Sequence, residues 1–287
     1  MCAGIGIRKR ILLFFTMKIF KRKLPYIVLT SISAGRRVKN IYVKNEPATN
    51  DTNRSPVIIA ANHTNSHDMP ILLKAYGGNA VFLLGKQRLG LLDWLFFWLN
   101  GAVFTDRLDR KDTGITKKVL IELLKNKKTI VWFPEGTWNM TENLPMLPMK
   151  WGIIEVAREA GADILPAFLS YDNEKEACLV QFGKAMKIGG TKDQLDAINE
   201  LRDALATLFW KDLENKPVVK REQLNKKEEQ RRIWRYVEEY PPIQWEYERK
   251  CIFSIKGNTQ PEKAFAFMTK LVPSRANAFL FDKRNKF

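Results

Sequence analysis

From residue 56 to about 215, short aliphatic and β-branched runs alternate with stretches whose apolar positions recur near every 3.6 residues. Strands are predicted at 56–61, 79–84, 101–105, 128–133, 163–169 and 177–183. Helices are predicted at 69–76, 86–99, 113–127, 149–160 and 191–213, the last carrying Leu195, Ile198, Leu201, Leu205, Leu208 and Phe209 on its apolar side. This order points to an α/β fold with a largely parallel central sheet flanked by helices. No internal repeat or low-complexity segment interrupts it. Pro166 lies inside the predicted strand 163–169, which implies a strand start, an edge or a bulge there.

The chain of 287 residues, 45% of them hydrophobic, is long enough for one sizeable core with appendages. Cys2, Cys178 and Cys251 are scattered, fit no metal-ligand spacing and point to a reducing compartment. The net charge of +17 is concentrated at the ends. Residues 1–45 hold eleven Lys/Arg and no acid, and residues 216–287 hold seventeen bases against nine acids. The middle is close to neutral. Three regions follow: a basic amphipathic segment at 1–45, a near-neutral central domain at 46–215 and a basic extension of unassigned role at 216–287.

Residues 8–32 interleave Lys/Arg with two greasy runs, Ile11–Met17 and Leu24–Ile32. Each is shorter than the roughly 18–20 residues that cross a bilayer. The pattern suits a helix lying in the interface of an anionic leaflet, on the cytoplasmic side, as a peripheral or monotopic anchor. A signal peptide competes, but Ile32 falls at position −3 of its cleavage site. No nucleic-acid-binding signature accompanies the basic ends, so no nucleic-acid partner is expected. Leu91–Leu99 carries aromatics on more than one face, which fits a core helix, an apolar channel wall or a lipid contact.

Both histidines of the chain fall in Ala61-Asn62-His63-Thr64-Asn65-Ser66-His67-Asp68, where a strand gives way to a helix. The spacing allows His63 and Asp68 to lie about one helical turn apart, with the carboxylate holding one imidazole tautomer and leaving the other nitrogen as a base. Alone, the pair also fits a helix-end charge beside a core histidine. His63, His67 and Asp68 could instead ligate zinc, although Thr64 stands where the metalloprotease pattern has glutamate. Gly101–Thr105 then delivers Asp106-Arg107 at a strand end; Arg107 suits a phosphate or pairs with Asp106 or Asp109. A further strand breaks at Pro134-Glu135-Gly136-Thr137, where Gly136 permits an unusual backbone angle and Glu135 and Thr137 supply polar atoms.

Taken together, N-H-x-x-x-x-D at 62–68, G-A-V-F-T-D-R at 101–107, F-P-E-G-T at 133–137 and I-L-P-A at 164–167 occur in order. They resemble the four blocks of the glycerolipid acyltransferases, the PlsC-like family of 1-acylglycerol-3-phosphate and lysophospholipid acyltransferases, over roughly residues 55–190. The resemblance implies transfer of a fatty acyl group from acyl-CoA or acyl-acyl carrier protein, a co-substrate with no further cofactor, to a hydroxyl of a lysophospholipid-like acceptor. It implies His63 as general base and Asp68 as its orienter, with Arg107, Glu135, Gly136 and Thr137 holding the acceptor. Lys86 matches a basic position between the first two blocks, and Pro166 the block on the donor side.

One departure stands out. The family commonly continues F-P-E-G-T-R-S, whereas Trp138-Asn139 follow Thr137 here. Either Lys86, Arg107 and Lys150 suffice for a phosphate, or the acceptor is a lipid without a simple phosphomonoester. Two other readings remain beside these: a metal-dependent lipid hydrolase, and a non-catalytic protein that binds membrane lipids.

Overall fold

In the computed structural model, the described residues are 38–45, 47, 56–64, 67–77, 80–85, 102–139, 145–172, 175–190, 193–218, 220–228, 230, 231 and 234. The N-terminal basic segment up to residue 37, Lys86, the greasy run 91–99 and the chain after 234 lie outside them. Among the described residues eight strands make one sheet: β1 (Asn40–Lys44), β2 (Val57–Ala61), β3 (Ala80–Gly85), β4 (Ala102–Thr105), β5 (Thr129–Trp132), β6 (Asp163–Asp172), β7 (Ala177–Phe182) and β8 (Met186–Lys187). Between them run helices α1 (Asp68–Tyr76), α2 (Arg110–Lys125), α3 (Gly152–Ala160) and α4 (Gln194–Glu214). The sheet order is β1-β7-β6-β2-β5-β3-β4, with β8 beside β6. Only β6 with β7 and β6 with β8 are antiparallel. The expected α/β class with a largely parallel sheet is what the chain adopts.

The uninterrupted apolar run of β2 follows from burial on both faces. Val57, Ile59 and Ala61 point into the layer that holds Ile71, Leu72 and Leu73 of α1. Ile58 and Ala60 point the other way, against Leu120 and Leu124 of α2, Ile153 and Ile154 of α3 and Leu201 of α4. Ile58 and Ile59 are fully buried, and burial stabilises by about 1.5–3 kcal/mol for each such side chain. The two-residue period of the strand thus separates two cores.

Helix α2 starts three residues earlier than its apolar period predicts. Asp109 caps it, accepting the N–H groups of Lys111 at 2.8 Å and Asp112 at 3.3 Å. Asp109 is therefore a helix cap, whatever its charge offers Arg107.

Strand β1 was not expected, because it lies within the stretch read as a basic amphipathic segment. It is an edge strand whose residues are mostly exposed, so burial leaves little signature in its sequence. Its placement comes from parallel pairing with β7, Asn40 opposite Ala177 through Lys44 opposite Gln181.

Pro166 sits in the middle of a strand with neighbours on both sides, paired with Ala60 of β2. Its carbonyl faces the other way and accepts the N–H of Gly183 at 2.8 Å. Within a strand the N–H and C=O of one residue point to the same side. The missing N–H therefore faces the break where β7 ends and β8 has not begun. The proline marks an interruption in the neighbouring strand, not an edge of its own.

A second compact unit comprises Thr141–Leu144 and the chain from Leu213. There the described residues include a 3-10 turn at Arg221–Gln223. Among the described residues no helix is long and apolar enough to cross a membrane.

Candidate active site

Strand order decides which loops meet. β5 inserts between β2 and β3, so the turn after β2 and the turn after β5 leave the same edge of the sheet side by side. β6 runs parallel to β2, and β4 parallel to β3, so their carboxyl ends reach that edge too. This is where open α/β sheets place their ligands.

The end of β2 is fixed by Asn62, which is buried. Its Nδ2 donates to the Leu169 carbonyl at 3.1 Å, and its Oδ1 accepts the Leu169 N–H at 2.8 Å. The side chain thereby continues the β2–β6 ladder one step past the last paired residue and aims His63 out of the sheet edge. Asp68 is the first residue of α1. So His63 and Asp68 are not two positions on one helix: a short loop folds the imidazole back over the helix start. His67 is at the α1 N-cap, its carbonyl accepting the Ile71 N–H at 3.1 Å.

Asp68 is fully buried, and four donors converge on it. His63 Nδ1 lies 2.8 Å and the Thr64 N–H donor 2.5 Å from Oδ2. The Thr64 hydroxyl at 3.3 Å and the Tyr171 hydroxyl at 2.5 Å donate to Oδ1. A carboxylate offers about four lone-pair sites and no donor, so Nδ1 of His63 must carry the proton. The other ring nitrogen gives the same answer independently. Trp138 donates its indole N–H to His63 Nε2 at 2.7 Å, and an indole nitrogen is a donor only. The ring is neutral, with Nδ1 protonated and the Nε2 lone pair accepting the indole N–H. Phe133 stacks on it at 4.1 Å between centroids and 15° between planes.

The loop after β5 supplies the opposite wall. Gly136 closes a turn by donating its N–H to the Phe133 carbonyl at 3.0 Å and has φ +71°, which favours glycine. A Cβ there would stand 3.3 Å from Cε of Lys150 and 3.6 Å from Nη1 of Arg107. Arg107, from the end of β4, donates to the Gly136 carbonyl. Thus Arg107, Gly136 and Lys150 form one cluster, and Thr137 follows half-buried on the same loop.

Glu135 is placed differently from an acceptor-binding group. It is 3% exposed, and its two oxygens accept the N–H of Leu147 at 2.7 Å and of His63 at 3.4 Å. Asn139 returns the tie by donating its N–H to the His63 carbonyl at 2.7 Å. Burial pushes the Glu135 carboxyl up to about 7, with Asp68 adding to the effect and these hydrogen bonds opposing it. Pro166 lies one strand over, inside β6. Cys178 is buried, and desolvation pushes its thiol well up, which suits a core residue and not a nucleophile. Among the described residues no group of three or more His, Cys, Asp or Glu side chains is arranged to hold a metal ion.

The sequence pattern of the acyltransferase family matches residues 40–170, which takes in β1 and every residue of the site just described except Tyr171. Over residues 40–170 this chain is similar to the acyltransferases. A 1-acyl-sn-glycerol-3-phosphate acyltransferase from Saccharomyces cerevisiae is 32% identical over 120 residues, 41% of this chain and 39% of the yeast protein. One of the same description from Neisseria gonorrhoeae is 27% identical over 122 residues, 41% of this chain and 45% of its own length. This chain thus matches less than half the length of these curated relatives. The crystal structure of the 1-acyl-sn-glycerophosphate (LPA) acyltransferase PlsC from Thermotoga maritima shares the fold, with TM-score 0.51 and 16% identity over 76% of this chain and 90% of that one.

Within this domain, three side chains of the site, Asn62, Phe133 and Tyr171, were not singled out from sequence, and a fourth, Trp138, was singled out for another reason. Asn62 belongs to the first block, but its clamp on Leu169 depends on β2 pairing with β6. Phe133 belongs to the third, yet its stacking on His63 depends on β5 lying next to β2. Tyr171 stands 103 residues from Asp68. Trp138 was noticed as a missing cation; its bond to His63 was not foreseeable without the strand order.

Proposed function

We propose that the protein is an O-acyltransferase that moves a fatty acyl group from a thioester, acyl-CoA or acyl-acyl carrier protein, to the free hydroxyl of a lysophospholipid-like acceptor of the 1-acylglycerol-3-phosphate type. One observation carries this reading: in a domain similar to the acyltransferases, a neutral His63 at the end of β2 is held through Nδ1 by Asp68 at 2.8 Å, which leaves Nε2 as its basic nitrogen. In the reaction, Nε2 takes the proton of the acceptor hydroxyl as that oxygen attacks the thioester carbonyl. Asp68 stabilises the imidazolium that forms. The tetrahedral intermediate then collapses, the C–S bond breaks, and the thiolate leaves with the proton from His63. No covalent acyl-enzyme is needed, so both substrates bind before products leave.

Arg107 and Lys150, beside Gly136, offer the positive charge for an acceptor phosphate, with Lys86 as a third cation and Thr137 as a donor. Glu135 holds the two loops together beneath them. Pro166 marks the donor side. The basic residues that precede β1 would keep the protein on the cytoplasmic face of an anionic membrane, where the acceptor resides.

The test is transfer of a labelled acyl group from acyl-CoA to 1-acylglycerol-3-phosphate. His63→Ala should lower the rate by about 10²–10⁴; a variant as active as wild type would sink the assignment. Offering a lysophospholipid with a phosphodiester headgroup in parallel distinguishes the phosphomonoester acceptor from the alternative that Trp138 raises.

A further inference from the structure

The nitrogen that His63 needs as a base is already in use. It accepts the indole N–H of Trp138 at 2.7 Å, within the roughly 2.6–3.2 Å over which a base must meet the proton it removes. The indole therefore stands where a reacting hydroxyl has to stand, and the two cannot be there together.

We propose that Trp138 guards the base: its indole N–H fills the hydroxyl position on His63 Nε2, keeps water from it until an acceptor displaces the ring, and so suppresses hydrolysis of the thioester donor. This rests on the acyl-transfer reading above. Water in the same position would undergo the same chemistry as the acceptor. His63 would take one proton, the hydroxide oxygen would bond to the thioester carbonyl carbon, the C–S bond would break, and the thiolate would leave with that proton, giving a free fatty acid and a thiol. A transferase whose base is open to solvent loses its donor this way. An indole N–H is a donor with no acidity near neutral pH, so it can occupy the lone pair without reacting.

The placement suits a guard that opens. Trp138 is half-buried, and its ring meets the imidazole edge-on, at 80° and 5.6 Å between centroids. The next residue, Asn139, is tied by its backbone N–H to the His63 carbonyl at 2.7 Å, which fixes the loop. Rotation of the side chain alone then frees Nε2, with no movement of the loop. The arginine that the family commonly carries at this position is absent, and the residue in its place points at the base.

The test uses the full chain with acyl-CoA and no acceptor, following release of free fatty acid. Trp138→Phe keeps an aromatic ring and removes the N–H. One neutral hydrogen bond corresponds to about a two- to tenfold change, so hydrolysis should rise and the KM for 1-acylglycerol-3-phosphate should fall by factors of about that size. Adding His63→Ala to Trp138→Phe should return hydrolysis to the level of His63→Ala alone. A Trp138→Phe protein that transfers acyl groups but hydrolyses the donor no faster than wild type overturns the guard and leaves the transferase standing. A wild type that neither transfers nor hydrolyses sinks the transferase reading and the guard with it. Should Trp138→Phe not fold, wild type itself decides. With two histidines in the chain, the imidazole nitrogens of a ¹⁵N-labelled sample are readily assigned. Scalar coupling between Trp138 Nε1 and His63 Nε2 across the hydrogen bond is expected without ligand and should vanish at saturating 1-acylglycerol-3-phosphate. No coupling in the free protein, or coupling that survives saturation, overturns the proposal.

Discussion

Tyr171, near the end of β6, donates its hydroxyl to Asp68 Oδ1 at 2.5 Å across 103 residues of sequence. It holds the carboxylate that holds the imidazole, so it is a positioning residue for His63. Removing a hydrogen bond to a charged group corresponds to about 1.5–3 kcal/mol. The Thr64 N–H and hydroxyl still grip Asp68 in a Tyr171→Phe protein, so the dyad loosens without dissolving. We expect kcat to fall about tenfold with KM nearly unchanged. Equal losses in kcat and in thermal stability of the whole fold would assign Tyr171 to packing alone.

Asp68→Asn keeps the shape and changes the bonding. An amide offers one acceptor oxygen and two donor hydrogens. It cannot receive the Thr64 N–H, the Tyr171 hydroxyl and the Nδ1 proton as the carboxylate does. The imidazole is then free to carry its proton on Nε2, where it is useless as a base. Steady-state assays should show a rate loss on the order of 10² or more while acceptor affinity is retained. A change confined to KM would mean that Asp68 binds substrate instead.

Much of this site was legible because the blocks that carry it are contiguous. His63 and Asp68 lie five residues apart, and Glu135, Gly136 and Thr137 are consecutive; each group needs one strand end to be placed. The α/β order was legible for a similar reason, since buried parallel strands such as Val57–Ala61 read as unbroken apolar runs. What escaped depends on strand order. Tyr171 and Asn62 act through the pairing of β2 with β6, and Trp138 through β5 lying beside β2. Strand β1 escaped because an exposed edge strand needs no apolar alternation. A helix period gave α2 its apolar face but not its start, which Asp109 sets by capping.

Asn62 supports a stability prediction separable from catalysis. Asn62→Ala leaves the buried N–H and C=O of Leu169 without the partners they have now. Each unsatisfied buried group costs about 1–3 kcal/mol, so the loss should be about 2–5 kcal/mol. Urea unfolding read by intrinsic fluorescence measures it. A midpoint within error of wild type would show that water or a neighbour replaces the side chain.

Glu135 makes the fold sensitive to pH in the acid-to-neutral range. Its carboxyl rises from an ordinary value of 4.5 to about 7, chiefly through burial. The folded chain therefore holds this proton more tightly than the unfolded chain does. Between pH 4.5 and about 7 the folded state binds the more protons, so stability contributed by the neutral form is present below this window and declines as pH rises through it. With 1.36 kcal/mol for each unit, the span is about 3 kcal/mol. Glu135→Gln cannot titrate, although its carbonyl can still accept the Leu147 N–H. Urea midpoints measured from pH 4.5 to 7 should fall more steeply for wild type than for Glu135→Gln. Parallel slopes for the two proteins would place the Glu135 proton at its ordinary value and remove burial as the dominant influence on it.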